Sequence, residues 1–433
     1  MRPFRILLSL VLLLAGCTSG AVSAKPAGSP LKLAVATDLH YLAPSLAHGP
    51  LFDEMLENSD GKLTAYCSQL TGAFIDQCIQ EKPDAVILSG DLSFSGEKKS
   101  HLELAAMLER LRQAGIQPLV IPGNHDIESP TAYNYSGADL TYAAAITPAD
   151  FRSIYARDGY DQALYEDSSS LSYVYRLSAD CWILMLDTAR YEENSSIIAQ
   201  AGGRIREAQM DWIRMVLEEA QKQHVQVLSA THHNLITMTS DPSTYTVENA
   251  AALRQLYAHY DVPVNFSGHS HAQYYSAKET DGVQLTDIMT SSMAVYRHQY
   301  GLVTFTPFET LDYQSVPVDL QAWAKRHLSS DPFLLNFPET SREYFMTHSV
   351  TRLKGYFEGL GLDEQTQQEL LEFKGLENAY VFSGEAADFA DVLHASALYP
   401  LIRALPDEQK SMFTDRLALY SRNAQKIEVS LKQ

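Results

Sequence analysis

The chain has 433 residues, with 33 Lys and Arg against 53 Asp and Glu, so its formal net charge is −20. A hydrophobic share of 45% and a charged share of 20% are ordinary for a globular protein and exclude a mainly disordered, collagen-like or coiled-coil chain. So acidic a chain argues against clustered cations facing a phosphate backbone, and we expect no nucleic-acid polymer as a partner. A small anionic substrate stays open, because bound metal ions can reverse the sign of an acidic site.

The N-terminal segment has the pattern of a secretory leader. Arg2 and Arg5 precede an apolar run over residues 6–14, which is too short to span a bilayer as a helix. Residues 14–17 read LAGC and resemble a bacterial lipobox, so we expect a lipoprotein signal peptide over 1–17 and a flexible tether over 18–30. Lipidation of Cys17 would hold the protein on the bacterial cell envelope, at the cell surface or outer membrane. The alternative is an ordinary signal peptide with a chance cysteine.

Alternating strand and helix patterns over residues 31–305 predict an α/β layered fold. Short apolar runs predict strands at 31–37, 85–89, 118–121, 171–177, 181–187, 225–230, 262–267, 283–290 and 301–306. Helical spacing of apolar residues predicts helices at 64–80, 101–114, 207–223 and 250–260. The polar stretch 127–170 interrupts this rhythm and is interpreted as an insertion.

From residue 306 onward the pattern changes, and residues 306–433 are predicted to form a separate, all-helical C-terminal domain. The expected helices are 320–328, 341–360, 363–373, 388–404 and 407–426. This domain could cover one edge of the α/β layers, shape a cleft or mediate dimerisation, and its sequence favours none of the three.

Metal-binding residue types follow five of the predicted strands. Because ligands in open α/β sheets bind at the carboxyl ends of strands, these residues are expected to meet. Mixed imidazole and carboxylate ligands suit Mn, Fe and Zn ions. Each block alone is weak, since Asp, His and Gly are common in turns, but five blocks in order predict a metal site. In chain order they are Asp38-Leu39-His40, Gly90-Asp91, Gly123-Asn124-His125-Asp126, His232-His233-Asn234 and Gly268-His269-Ser270-His271.

This series resembles the calcineurin-like metallophosphoesterase superfamily over roughly residues 31–305. The resemblance implies a two-sheet sandwich flanked by helices, with two divalent or mixed-valence ions of Mn, Fe or Zn as cofactors. It implies that one ion is held by Asp38, His40, Asp91 and His271, and the other by Asp91, Asn124, His232 and His269. Asp91 would therefore bridge the two ions.

The same resemblance assigns a catalytic role to His125, which would contact a phosphoryl oxygen or assist the leaving group. Asn124 and His125 would also bind substrate. The fourth block departs from the family, because relatives often read H-x-P where this chain has Asn234. The family alignment favours His232 as the ligand over His233, which would then be a packing residue or orient a ligand.

Two ions about 3.5–4 Å apart can hold a bridging water and clamp an in-line displacement at phosphorus. We therefore expect hydrolysis of a small phosphodiester by a metal-bound hydroxide. The pieces Gly202-Gly203 and Gln209-Met210-Asp211-Trp212, with the helical tail, resemble bacterial class III cyclic nucleotide phosphodiesterases and imply cyclic AMP as substrate. The alternatives are a broad-specificity extracellular phosphodiesterase or phosphomonoesterase acting on nucleotides or phospholipid headgroups, and a non-catalytic surface-anchored binding module.

Specificity is expected to lie in the insertion and near Arg297. The guanidinium of Arg297 could pair with a phosphate oxygen, for which its fork of donors is suited, or form a surface salt bridge. Tyr133, Tyr135 and Tyr142 could stack on a base or simply pack the loop.

Overall fold

The computed structural model describes residues 25–239 and 241–432. The predicted signal peptide with Cys17, and most of the predicted tether, lie outside the described residues. The lipid anchor and the envelope location therefore stay predictions. Among the helices of the described ranges, none has the length and apolar character needed to cross a membrane.

The strands, numbered in chain order, are β1 (Leu31–Ala36), β2 (Ala85–Ser89), β3 (Gln117–Ile121), β4 (Tyr133–Asn134), β5 (Thr141–Tyr142), β6 (Tyr165–Glu166), β7 (Tyr173–Ser178), β8 (Cys181–Leu186), β9 (Gln226–Thr231), β10 (Val264–Ser267), β11 (Tyr274–Thr280), β12 (Val283–Met289), β13 (Gln299–Phe305), β14 (Thr310–Pro317) and β15 (Lys426–Ser430).

The α-helices are α1 (Pro50–Glu57), α2 (Cys67–Glu81), α3 (Lys98–Gln113), α4 (Pro148–Ile154), α5 (Glu207–Lys222), α6 (Pro242–Tyr245), α7 (Ala250–His259), α8 (Leu320–Arg326), α9 (Pro332–Leu335), α10 (Phe337–His348), α11 (Lys354–Phe357), α12 (Glu364–Ser383), α13 (Ala386–Ala395), α14 (Tyr399–Ala404) and α15 (Asp407–Leu419).

The strands form two large mixed sheets. The first has the order β15-β14-β13-β1-β2-β3, with β1, β2 and β3 parallel and the other three joined by antiparallel pairs. The second has the order β11-β12-β10-β9-β8-β7-β6, in which β8, β9, β10 and β12 are parallel. The short β4–β5 hairpin lies in the predicted insertion. The predicted α/β architecture is confirmed.

The central strands are buried on both faces, as continuous apolar runs predict. Every residue of β2 and β8 is buried. The main core joins both sheets, since Val35 and Ile87 of the first belong to one cluster with Leu228 of the second. On the other side of the second sheet, a separate cluster packs Ile213 of α5 against Trp182 of β8. Helices thus cover the sheets, and the sheets form the layer that carries the site.

Two strands of the first sheet follow residue 305, where the predicted all-helical domain begins. Strand β14 pairs with β13, and β15 pairs with β14 after the whole helical region. Buried and exposed residues alternate in both strands, as they do in half-buried edge strands. The prediction of an all-helical region overlooked this two-residue period. The helical region is therefore an insertion between two neighbouring strands.

Helices from α8 to α15 fill that insertion, in shorter pieces than predicted. The predicted helix 341–360 ends at His348, and the predicted helix 388–404 is divided into α13 and α14. Pro400 lies in the first turn of α14, where proline is tolerated, and it disfavours a continuous helix through the preceding residues. The helices have a core of their own around Leu370, Phe389 and Phe413.

Strand β15 should contribute measurably to stability although it lies at a sheet edge. Ile427 is 4% exposed and belongs to the main core, whereas Glu428 beside it is exposed. We expect Ile427→Ala to lower the free energy of unfolding by about 2–4 kcal/mol, through lost burial and a residual cavity. Urea unfolding measures the change, and Glu428→Ala should stay within about 0.5 kcal/mol of wild type. Equal midpoints for the two variants would contradict the placement of β15.

Candidate metal centre

Each of the five sequence blocks begins just beyond the last residue of a strand. Asp38 follows β1, Asp91 follows β2 and Asn124 follows β3 in the first sheet. His232 follows β9 and His269 follows β10 in the second sheet. Carboxyl ends of parallel strands meet at one edge of a sheet, so the topology brings the five turns together as predicted.

Several of these residues have a left-handed backbone, which is uncommon for residues other than glycine. Such conformations cost free energy and cluster where the surrounding structure uses them for a site. The turns leave the strands sharply enough to aim successive side chains into one space. The residues, with their φ angles, are Asp38 (50°), His40 (43°), Asp91 (47°), His269 (69°) and His271 (63°).

One group of ligand-type atoms comes from Asp38, His40, Asp91 and His271, and all four atoms lie within 4.8 Å of one another. The Nε2 atoms of His40 and His271 are 3.1 Å apart. His271 Nε2 lies 3.3 Å from Asp38 Oδ1, a buried oxygen that accepts no hydrogen bond from any described residue. Electron-pair donors therefore face one another across a small space.

A second group forms on the other side of Asp91, around His232. His232 Nδ1 is 2.9 Å from the carbonyl oxygen of Ser89, which can only accept, so this nitrogen carries the proton. His232 Nε2 then presents a lone pair to Asn124 Oδ1 at 3.2 Å and to Asp91 Oδ1 at 3.5 Å. These three electron-pair donors can lie so close together only with a proton on Nε2 or a cation between them.

His269 completes this second group, whereas His233 is satisfied elsewhere. His269 Nε2 lies 3.0 Å from the carbonyl oxygen of Thr244, so its Nδ1 is left with a lone pair. Both ring nitrogens of His233 have partners, Thr188 Oγ1 at 2.8 Å and the Ala201 carbonyl at 2.9 Å. His232, His233 and His269 lie close enough to share an ion, but the hydrogen bonds favour His232 and His269.

Electrostatics at the site favour positive charge. Burial raises the pKa of the Asp91 carboxyl, but His232 and its other imidazole neighbours outweigh burial and hold the pKa well below its usual range. Burial lowers the pKa of His232, yet the carboxylates of Asp91 and Asp38 raise it to about 9. A site that stabilises an extra proton this strongly also suits a divalent cation.

The donor set therefore fits two metal ions. It combines imidazole nitrogens with carboxylate and amide oxygens, the mixture that Mn, Fe and Zn accept. The unpartnered Asp38 Oδ1 and the facing nitrogens of His40 and His271 are the structural observation behind this fit. Asp91 contributes to both groups, with Oδ2 toward His40 and Oδ1 toward His232.

The family model for calcineurin-like phosphoesterase matches residues 31–273, more than half of the chain and the whole span from Asp38 to His271. The chain belongs to this family. It is a phosphoric ester hydrolase of a family that depends on two metal ions. The predicted family membership is confirmed.

Three solved structures are similar to this metallophosphoesterase at low sequence identity. A dimetal phosphatase from Danio rerio is 14% identical, over 66% of this chain and 96% of that one, with a TM-score of 0.46. The GAP50 anchor of the inner membrane complex of Plasmodium is 11% identical over 67% and 85%, with a TM-score of 0.36. A protein from Thermus thermophilus is 10% identical over 64% and 99%, with a TM-score of 0.35. A search of curated proteins found no match.

His125 lies beside both metal groups of this metallophosphoesterase. Its backbone N–H donates to Asp91 Oδ1 at 2.9 Å, and its ring lies 5.4 Å from the ring of His40. Its buried Nδ1 has no hydrogen-bond partner among the described residues. Arg297 is placed differently from the other predicted site residues, because the ion pair it forms is with Glu385 of the helical region, at 3.4 Å.

An aromatic series leads away from His40 toward solvent. Phe94 lies edge-on to His40 at 6.4 Å, and Tyr135 lies 6.4 Å from Phe94. Tyr133 contacts both Tyr135 and Tyr142, and the last ring is 72% exposed. The three tyrosines come from the predicted insertion, which is therefore connected to His40 through Phe94.

Two buried carboxylates hold the turns in place; sequence reasoning placed Asp126 in the third block without assigning it a role and did not single out Asp287. Asp126 accepts hydrogen bonds from the backbone of Leu92, Ser93 and Gly123, and so ties the third block to the second. Asp287 of β12 accepts from the backbone of Leu235 and from Ser267 Oγ, which fixes the turn after His232 against β10. The sequence signal for Asp126 was its position directly after Gly123-Asn124-His125. The signal for Asp287 was a single carboxylate inside an apolar strand.

Gly268 is required where two blocks touch. A Cβ at this position would lie 2.0 Å from Thr37 Oγ1 and 2.7 Å from Asp38 Oδ2, two atoms that are themselves hydrogen-bonded at 2.6 Å. We expect Gly268→Ala to displace Asp38, lower bound metal and reduce turnover about 100-fold, the cost of a displacement near 1 Å. Metal analysis with steady-state assays tests this. Gly355→Ala, where a Cβ meets nothing within 4 Å, is the control, and equal metal content in the two variants would refute the prediction.

Glu97, on the loop after the second block, should make stability depend on pH. Burial raises the pKa of its carboxyl to about 7 from an ordinary 4.5. As pH rises through this window the unfolded chain loses its proton first, so the free energy of unfolding falls. The free energy of unfolding of Glu97→Gln, measured relative to wild type, should therefore increase by about 2–3 kcal/mol between pH 5 and pH 8. Denaturant unfolding at both pH values measures it against Glu279→Gln, an exposed control, and a gap that does not change with pH would contradict it.

Proposed function

We propose that this metallophosphoesterase hydrolyses phosphodiesters of nucleotides, with 3′,5′-cyclic nucleotides such as cyclic AMP as its substrate class. The observation that carries the proposal is the aromatic series beside His40 (Phe94, Tyr135, Tyr133 and Tyr142). Flat rings that begin next to the metal ligands and end at an exposed tyrosine offer stacking surfaces for a base whose phosphate occupies the centre.

In this proposal the two groups of ligand-type residues hold two ions. One ion would be held by Asp38, His40, Asp91 and His271, and the other by Asp91, Asn124, His232 and His269. Support comes from the convergence of lone pairs on both sides of Asp91. When bound, the two ions would lower the pKa of a water molecule and neutralise charge on the phosphoryl oxygens.

The residues around the ions would orient the phosphodiester. With Asn124 Oδ1 turned toward His232, the Asn124 amide nitrogen is left to donate to a phosphoryl oxygen. His125, tied to Asp91 through its backbone, would place its ring near the leaving oxygen and donate a hydrogen bond or a proton there. Burial of Asp38, Asp91 and His232 excludes bulk water and strengthens each of these interactions.

The first prediction from this proposal concerns Asp91. Asp91→Asn removes the one carboxylate shared by both groups, so we expect loss of bound metal and a fall in turnover of at least about 1,000-fold. The Mn-loaded protein would be assayed against cyclic AMP, a generic phosphodiester and a generic phosphomonoester. Asp281→Asn, at an exposed turn, is the matched control.

The possible outcomes test the substrate and the ligand assignment separately. Preference for cyclic AMP over the generic diester supports the cyclic nucleotide substrate. Equal turnover of all three esters favours a broad-specificity enzyme and refutes the nucleotide class. Full activity and full metal content in Asp91→Asn would refute the ligand assignment itself.

A further inference from the structure

The loop of residues 58–63 brings Lys62 close to the metal centre, although no sequence motif marks it. The backbone N–H of Leu63 donates to the Ala294 carbonyl at 2.8 Å, and Ala294 in turn donates to the Asp38 carbonyl at 3.4 Å. Two hydrogen bonds therefore connect the residue after Lys62 to the first metal block. The loop lies against the same turn that carries Asp38 and His40.

The ammonium group of Lys62 shares the space of the metal-type residues. After burial itself, the charge of Lys62 is the strongest neighbouring influence that lowers the pKa of His40. It also lowers the pKa of His125. In the other direction, Asp60 first, and then Asp91 and Asp38, counteract the lowering of the Lys62 pKa that burial causes. The loop geometry and these influences together bring the charge of Lys62 close enough to His40 and His125 to affect both.

This ammonium has no fixed partner in the described part of the chain. Asp60, the nearest acidic residue in sequence, is paired instead with Arg352, whose Nε lies 2.8 Å from Asp60 Oδ1. Among residues 25–239 and 241–432, no hydrogen bond or ion pair reaches Lys62 Nζ. Holding a half-buried cation without a partner costs free energy, which is characteristic of groups that await a ligand.

We propose that Lys62 binds a phosphate oxygen of the substrate and of the phosphate-bearing product at the metal centre. This inference rests on the proposed function, because it takes the phosphoryl group to lie between the two ligand groups. A cation beside His125 repels metal ions but attracts an anion already held by them. Lys62 would therefore act on binding of the anion and leave binding of the metals unchanged.

The helical region holds the loop that carries Lys62. The Tyr344 hydroxyl of α10 lies 3.1 Å from Ser59 Oγ and donates to the Lys62 carbonyl at 3.4 Å. Gly61 lies against Phe345, whose ring would be 2.7 Å from a Cβ at that glycine. Together with the Arg352–Asp60 ion pair, these contacts make the helical region a positioning element of the substrate site.

The test measures binding of inorganic phosphate to the Mn-loaded full chain by titration calorimetry, together with kcat and KM for a generic phosphodiester. We expect Lys62→Gln to weaken phosphate binding about tenfold and to raise KM, with kcat changed less than about threefold and metal content unchanged. Lys62→Arg, which keeps the charge, should restore binding to within about threefold. Lys278→Gln, on an exposed part of β11, is the matched control.

Unchanged phosphate affinity in Lys62→Gln, or lost metal in that variant, overturns the inference. A wild-type protein that binds no phosphate overturns it as well. Failure of the proposed function gives a different result. Diester turnover would then be absent, while phosphate would still bind more weakly to Lys62→Gln than to wild type. Tyr344→Phe should weaken phosphate binding about two- to threefold with an unchanged melting temperature, and a fall in melting temperature alone would make its role merely structural.

Discussion

Two carboxylates, Asp38 and Asp91, are buried beside each other at the ends of neighbouring parallel strands, and the rest of the centre compensates for their repulsion. Each is stabilised by imidazoles and by a backbone N–H from a turn of another block, His269 for Asp38 and His125 for Asp91. The compensating groups come from both sheets. The sheets therefore cannot separate without exposing uncompensated buried charge, which is among the most costly defects a protein can have.

The sequence was most informative where residue type and strand end coincide. All five blocks could be located because a buried apolar run precedes each, as in β2, whose predicted bounds match the structure. Residues without such a context were missed: Lys62 lies in an irregular loop, and its proximity to His40 arises only from tertiary packing. For Arg297 the sequence left a phosphate contact and a surface salt bridge open, and the structure pairs it with Glu385. Strands β11, β14 and β15 were missed because half-buried alternating segments give a weak signal.

The two ends of the helical region determine how it is attached to the rest of the protein. Because it starts after β14 and ends before β15, both its ends are fixed to the same sheet. Its helices also pack on the second sheet, where Tyr420 and Val381 share a cluster with Tyr274. A module attached at both ends in this way is restricted in its movement relative to the two sheets, and its contacts with loop 58–63 fix that loop beside the metal centre.

The position of β15 also has a consequence for how the chain acquires its structure. Thr310 pairs with Ser430, and Leu31 pairs with Phe305, so the first sheet is assembled from segments far apart in sequence. Such non-local contacts slow folding, because loop closure must be completed before pairing contributes. During synthesis, the edge of β14 with its apolar Leu311 and Tyr313 stays unpaired until the helices behind it have emerged. An intermediate with that open edge would be its most aggregation-prone species and the natural target of a holding chaperone.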